Sequence, residues 1–161
     1  MFRQDALCQL GMDLDPRSST AQEERLVARP AMARSVASKD HFIECAGVVY
    51  AGTHLIVDVW DACRLDDVAH MKATLEACVE AAGATLLHIH LHPFELNGGI
   101  SGVAVLAESH ISVHSWPERN YAAFDVFMCG ASDPRRALPV LERAFGPCRI
   151  EVSTHLRGRV P

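Results

Sequence analysis

The chain has 161 residues, 49% of them apolar, and a net charge of −5. That is enough for one domain with a sizeable core, and the lack of a dense basic stripe excludes nucleic acid as the main partner. No apolar run approaches a membrane span, the N-terminus lacks the apolar core of a signal peptide, and the six cysteines (8, 45, 63, 78, 129, 148) show no paired metal-ligand spacing. Scattered single cysteines point to reduced thiols in a cytoplasmic protein rather than to a disulfide framework.

Residues 1–46 show little periodicity and read as a poorly ordered N-terminal extension, with Met32 as an alternative start. Residues 47–161 read as a single domain, with order beginning near Val48. Thr53–Trp60 (THLIVDVW) is rich in β-branched residues and predicts a strand. Asp66–Ala82 places Val68, Met71, Leu75, Cys78, Val79 and Ala82 on one helical face, and Gly83 stops the helix. Thr85–His92 is the next strand, and Ile100–Ala107, Ile111–Ser115 and Ala122–Met128 add three more, with Trp116–Asn120 as turn material. Asp133-Pro134 caps a second helix whose buried stripe is Leu138, Leu141 and Phe145, ended by Gly146-Pro147. Cys148–His155 closes the chain as a strand.

The order β-α-β-β-β-β-α-β predicts an α+β two-layer sandwich, a mostly antiparallel sheet with two helices on one face. The other sheet face, where Ala123, Asp125 and Phe127 alternate with Phe124, Val126 and Met128, then needs a cover. A sheet-on-sheet homodimer supplies it.

The chemistry-bearing residues crowd into Gly98–Gly130, where a polar junction, Glu108-Ser109-His110, separates two apolar alternating runs. Buried hydroxyl, carboxylate and imidazole groups are costly unless paired. Ser109 with His114 suggests a nucleophile and its base, but GxSxG is absent. A straight strand also sets 109 and 114 on opposite faces, roughly 16 Å apart. A direct pair then needs a turn, or a His114 that serves a partner chain. Cys129 reads either as a small core hydrophobe or as a proton-donating thiol at a strand end. His88, His90 and His92 share one strand face and read either as a metal comb or as three half-exposed histidines.

The segment GISGVAVLAESHISVHSWPERNYAAFDVFMCG, with THLIVDVW before it and THLRGR (Thr154–Arg159) after it, resembles the prokaryotic S-adenosylmethionine decarboxylase proenzymes over about two-thirds of the chain. The resemblance implies self-cleavage between Glu108 and Ser109 into 1–108 and 109–161, with Ser109 becoming a pyruvoyl group that forms a Schiff base with S-adenosylmethionine. It implies no metal and no pyridoxal phosphate. It assigns the processing base to His114, a second processing role to Ser101 and proton donation during decarboxylation to Cys129. It places Phe94, Trp116 and Glu118 around the substrate, for which core packing is the plain alternative at Phe94 and Trp116. The family's F-x-P-x-G-V-S-G entry stands here as Phe94–Gly102, without the proline and one residue longer. The implied product is the aminopropyl donor for spermidine synthesis, and the implied assembly is a homodimer whose sites are shared between chains. The same fold and pyruvoyl acting on arginine or ornithine is the alternative substrate reading. A non-catalytic module on this fold would be favoured by loss of Ser109, His114 or Cys129, and all three are present.

Overall fold

A computed structural model describes residues 42–161, so the expectation for residues 1–41 lies outside the described residues. Order begins before Val48. Ile43–Cys45 (β1) and Val48–Tyr50 (β2) form an antiparallel ribbon. Its two turn residues, Ala46 and Gly47, both have positive φ (51° and 77°), the mirror-image turn that matches strand twist. Alanine at such a position leaves no turn signature in the sequence.

The main sheet has six strands: β3 (Gly52–Trp60), β4 (Leu86–Pro93), β5 (Ile100–Leu106), β6 (Ser109–Trp116), β7 (Tyr121–Cys129) and β8 (Arg149–Arg157). Their order is β4-β5-β6-β7-β3-β8, and every neighbouring pair is antiparallel. The period of two is strict in β7, where Ala122, Phe124, Val126 and Met128 are buried and the residues between them are half-buried. Leu55, Val57 and Val59 on β3 and Ile111 and Val113 on β6 join them on the same face.

Helix α1 (Val68–Ala82) covers that face with Met71, Leu75, Cys78 and Val79, and α2 (Leu138–Phe145) adds Leu141 and Phe145. Burying side chains of this size stabilises the fold by roughly 1.5–3 kcal/mol each. The start of α1 is set by Asp67, whose Oδ1 accepts from the His70 N–H at 2.9 Å. That backbone donor first, and the Arg64 guanidinium second, hold the Asp67 carboxyl below its ordinary pKa. The helix ends at Gly83, with φ of 73°. The second helix is less regular than its spacing predicts, because Pro134–Ala137 forms a 3-10 turn before α2 begins.

The polar junction resolves differently from a gap between strands. β5 stops at Leu106 and β6 starts at Ser109, so Ala107 and Glu108 alone make the turn. Ser109 and His110 are strand residues. This two-residue connection fixes the register and sets Ser101 opposite His114.

Candidate active site

The predicted residues fall into two groups at opposite ends of β6. At its start, Glu108 has a φ of 62°, a left-handed conformation that favours glycine or asparagine and costs another residue roughly 1–2 kcal/mol. The strained residue sits directly before Ser109. The Ser109 hydroxyl is buried and accepts a hydrogen bond from the Cys129 N–H at 3.0 Å. Cys129 ends β7 half-buried. Burial pushes its thiol pKa up, and the nearby Glu108 carboxylate pushes it further in the same direction. The thiol therefore keeps its proton at neutral pH. This end holds a hydroxyl beside a strained peptide and a protonated acid.

At the other end, Ser101 Oγ and His114 Nδ1 are 2.7 Å apart across the β5–β6 pair. Both border a cavity of about 660 Å³ that is also lined by Phe94 and Trp116. The loop carrying Phe94 is closed by its own backbone: the Phe94 N–H donates to Gly99 O (2.8 Å) and the Gly98 N–H to Phe94 O (2.9 Å). Asn97 braces the loop from within. Its Oδ1 accepts from the Gly99 N–H at 3.1 Å, and its Nδ2 donates to Glu118 Oε1 at 3.4 Å. Glu118 thus stands exposed beside this loop rather than within the core.

Within one chain the two groups do not meet. Ser109 lies on the helix-covered face and His114 on the open face of the same strand, five residues apart, which is roughly 16 Å of extended chain. No turn brings them together. His88, His90 and His92 are exposed on edge strand β4. Among the described residues no three His, Cys, Asp or Glu side chains are disposed to share a metal ion.

Sequence reasoning missed three contributors. Asn97 gave no signal beyond being a loop residue. Ser115 is the one polar residue among the core-facing positions of β6 after Ser109; its Oγ accepts from the Ile100 N–H and donates to Leu65 O, both at 2.8 Å. That hydroxyl ties β5, β6 and the β3–α1 loop together behind the cavity, and its tell was a serine in an apolar slot. The third is His54, on the open face near the start of β3. Arg157 Nη1 donates to His54 Nδ1 at 3.1 Å, and His54 Nε2 lies 3.5 Å from Asp125 Oδ1, a contact that becomes an ion pair only when the ring is protonated. Burial lowers the His54 pKa, against the pull of Asp125 and with the help of Arg157.

Comparison with known proteins identifies the family. Residues 53–158 match the family model described as S-adenosylmethionine decarboxylase. The chain is 42% identical over 110 residues to the S-adenosylmethionine decarboxylase proenzyme of Thermomicrobium roseum, covering 68% of this chain and 95% of that protein. It is likewise 42% identical over 112 residues to the proenzyme of the same name from Methanococcus aeolicus, with the same two coverages. Its fold resembles the crystal structure of the adenosylmethionine decarboxylase from Aquifex aeolicus VF5, with a TM-score of 0.62 and 34% identity over 70% of this chain and 94% of that one. The chain belongs to the S-adenosylmethionine decarboxylase family.

Proposed function

We propose that this S-adenosylmethionine decarboxylase makes its own cofactor by cutting the bond between Glu108 and Ser109. The observation that carries the reading is the pairing of a left-handed Glu108 with a buried Ser109 hydroxyl, held by the Cys129 N–H. A hydroxyl beside a strained peptide is what an N→O acyl shift requires. Ser109 Oγ adds to the Glu108 carbonyl carbon, the C–N bond breaks, and an ester joins the two residues. A base then removes the Ser109 α-proton, and the Cβ–Oγ bond breaks with Glu108 leaving as a carboxylate. Water replaces the nitrogen as ammonia, leaving a pyruvoyl ketone at the new terminus. That ketone supplies the electron sink for loss of CO₂.

The chain's own residues have the following roles. Cys129, kept protonated, returns a proton to the substrate carbon. Phe94 and Trp116 offer flat aromatic faces to the adenine and the sulfonium charge, and Glu118 accepts from the ribose hydroxyls. His114, with Ser101 at 2.7 Å, is the processing base. Since His114 cannot reach its own Ser109, it acts on a partner copy. The open face supports that arrangement: it carries Ile56, Val105 and Trp116, each about 40% exposed, and only the opposite face is covered by helices. A two-fold pairing of open faces would let the Ser101–His114 pair of one copy approach the Glu108–Ser109 turn of the other. Of the two substrate readings, the relatives' names support S-adenosylmethionine and lend nothing to arginine or ornithine.

Intact mass under denaturing conditions tests this directly. The expected result is two pieces, 1–108 and 109–161 with a blocked keto terminus, and one uncut chain for Ser109→Ala. Activity in that variant would remove the cofactor assignment. Mixing inactive Ser109→Ala with inactive His114→Ala chains should restore cleavage of the His114→Ala chain if sites are shared; no restoration would return the base to its own chain.

A further inference from the structure

We propose that Tyr121 and Trp60 are positioning residues for the substrate, holding the Trp116 ring as a fixed wall of the cavity. The proposal rests on the reading of Trp116 as a substrate contact. Register places Arg149, Trp60, Tyr121 and Trp116 in one row across β8, β3, β7 and β6. Tyr121 stands in the middle. Its ring is stacked on Trp60 at 4.3 Å between centroids and 30° between planes, and on Trp116 at 5.3 Å and 26°. The Arg149 guanidinium lies over Trp60 at 5.1 Å and completes the row with a cation.

Two features fix the row in place. The Tyr121 hydroxyl donates to Asp58 Oδ1 at 2.5 Å, so the middle ring cannot slide. Its pKa is pushed up to about 12, by burial first and by Asp58 second, which keeps the phenol a donor. Trp60 Nε1 is buried with no hydrogen-bond partner among the described residues, so its ring contacts with Tyr121 and Arg149, not a hydrogen bond, locate this indole. Trp116 is the exposed end of the row, 39% accessible, where it meets the cavity. An indole standing alone at a strand end turns about its two side-chain bonds and must be ordered by each arriving substrate. An indole already stacked on Tyr121 has lost that freedom, so binding does not spend affinity on ordering it.

The test uses the chain's own fluorescence, since Trp60 and Trp116 are its only tryptophans. In Trp60→Phe the emission comes from Trp116 alone. Adding Tyr121→Leu to that variant should shift the emission to the red and lower its anisotropy, whereas Tyr121→Phe, which keeps the ring, should leave both near the Trp60→Phe values. For decarboxylation, Tyr121→Leu should raise KM for S-adenosylmethionine about tenfold with kcat little changed, the worth of one lost aromatic pair. Tyr121→Phe should stay within about threefold of the parent. An unmoved KM with unmoved Trp116 emission overturns the proposal, and so does a fall in kcat at constant KM, which would give Tyr121 a part in the chemistry. If Tyr121→Leu does not fold, Trp60→Leu removes the outer support and reads the same two quantities. Titrating uncut Ser109→Ala, Trp60→Phe chain with S-adenosylmethionine separates the two layers. Quenching of Trp116 there upholds the substrate contact even if processing is read wrongly, and absence of quenching removes the contact and with it the proposal.

Discussion

The two faces of the sheet obey different rules. On the helix-covered face, β3, β6 and β7 present Leu55, Val57, Val59, Ile111, Val113, Phe124 and Val126, all essentially inaccessible. On the open face the same strands present His54, Asp58, Trp60, His110, Ser112, His114, Asp125 and Phe127, joined by hydrogen bonds and ring contacts. Apart from a few hydroxyls, Ser109 among them, the first face repeats one chemistry and specifies the fold; the second varies at every position and carries most of the candidate site. Substitutions should therefore separate into those that move stability and those that move the reaction.

The sharpest break of that comparison comes from the covered face. Phe124→Ala leaves a cavity against Phe145 and should cost roughly 3–5 kcal/mol in urea unfolding of the uncut Ser109→Ala chain. A cost below about 1 kcal/mol would mean that this face is not the core. His114→Ala should slow self-cleavage at least about 100-fold, as loss of a general base does, while unfolding moves by less than about 1 kcal/mol. A stability loss matching that of Phe124→Ala would make His114 structural. Cys129→Ala should still process appreciably but decarboxylate at least roughly tenfold more slowly. Full activity would return Cys129 to the role of a small hydrophobe. Ser115→Ala leaves the Ile100 N–H and Leu65 carbonyl without their shared partner and should cost about 1–3 kcal/mol.

The smallest effect is pH-dependent. His54 has a folded pKa below its ordinary 6.5, so the native state binds this proton more weakly than the unfolded chain does. Its contribution is present above pH 6.5 and is lost as the pH falls below it. The melting temperature between pH 7 and 5 should drop less steeply in His54→Gln; equal slopes would sever His54 from acid stability.

The covered face was legible in the sequence because its signals are periodic and local. Alternation marked Ala122–Met128, a 3.6-residue stripe marked Met71, Leu75 and Cys78, and Gly83 marked a helix end. The site was legible only as a set of residues. Its geometry hangs on the Ala107-Glu108 turn, and neither residue is a turn former. Without that turn nothing in the sequence says that Ser101 faces His114 or that Cys129 reaches Ser109. The 109–114 separation could be foreseen from strand parity. The Asn97 brace to Glu118 and the stacking of Tyr121 on Trp60 could not, since each joins residues more than twenty positions apart.

The strained Glu108 turn has one more consequence. While the chain is whole, β5 and β6 are halves of a single hairpin, and their six register pairs form at the high local concentration of a two-residue loop. A cut at Glu108–Ser109 turns that hairpin into a junction between two separate polypeptides, with β6, β7, α2 and β8 on one and β3, α1, β4 and β5 on the other. Folding, first-order for the whole chain, would become second-order for the cut one, and its melting point would come to depend on protein concentration. A protein cut there would inherit a shape that its fragments are poorly equipped to find again.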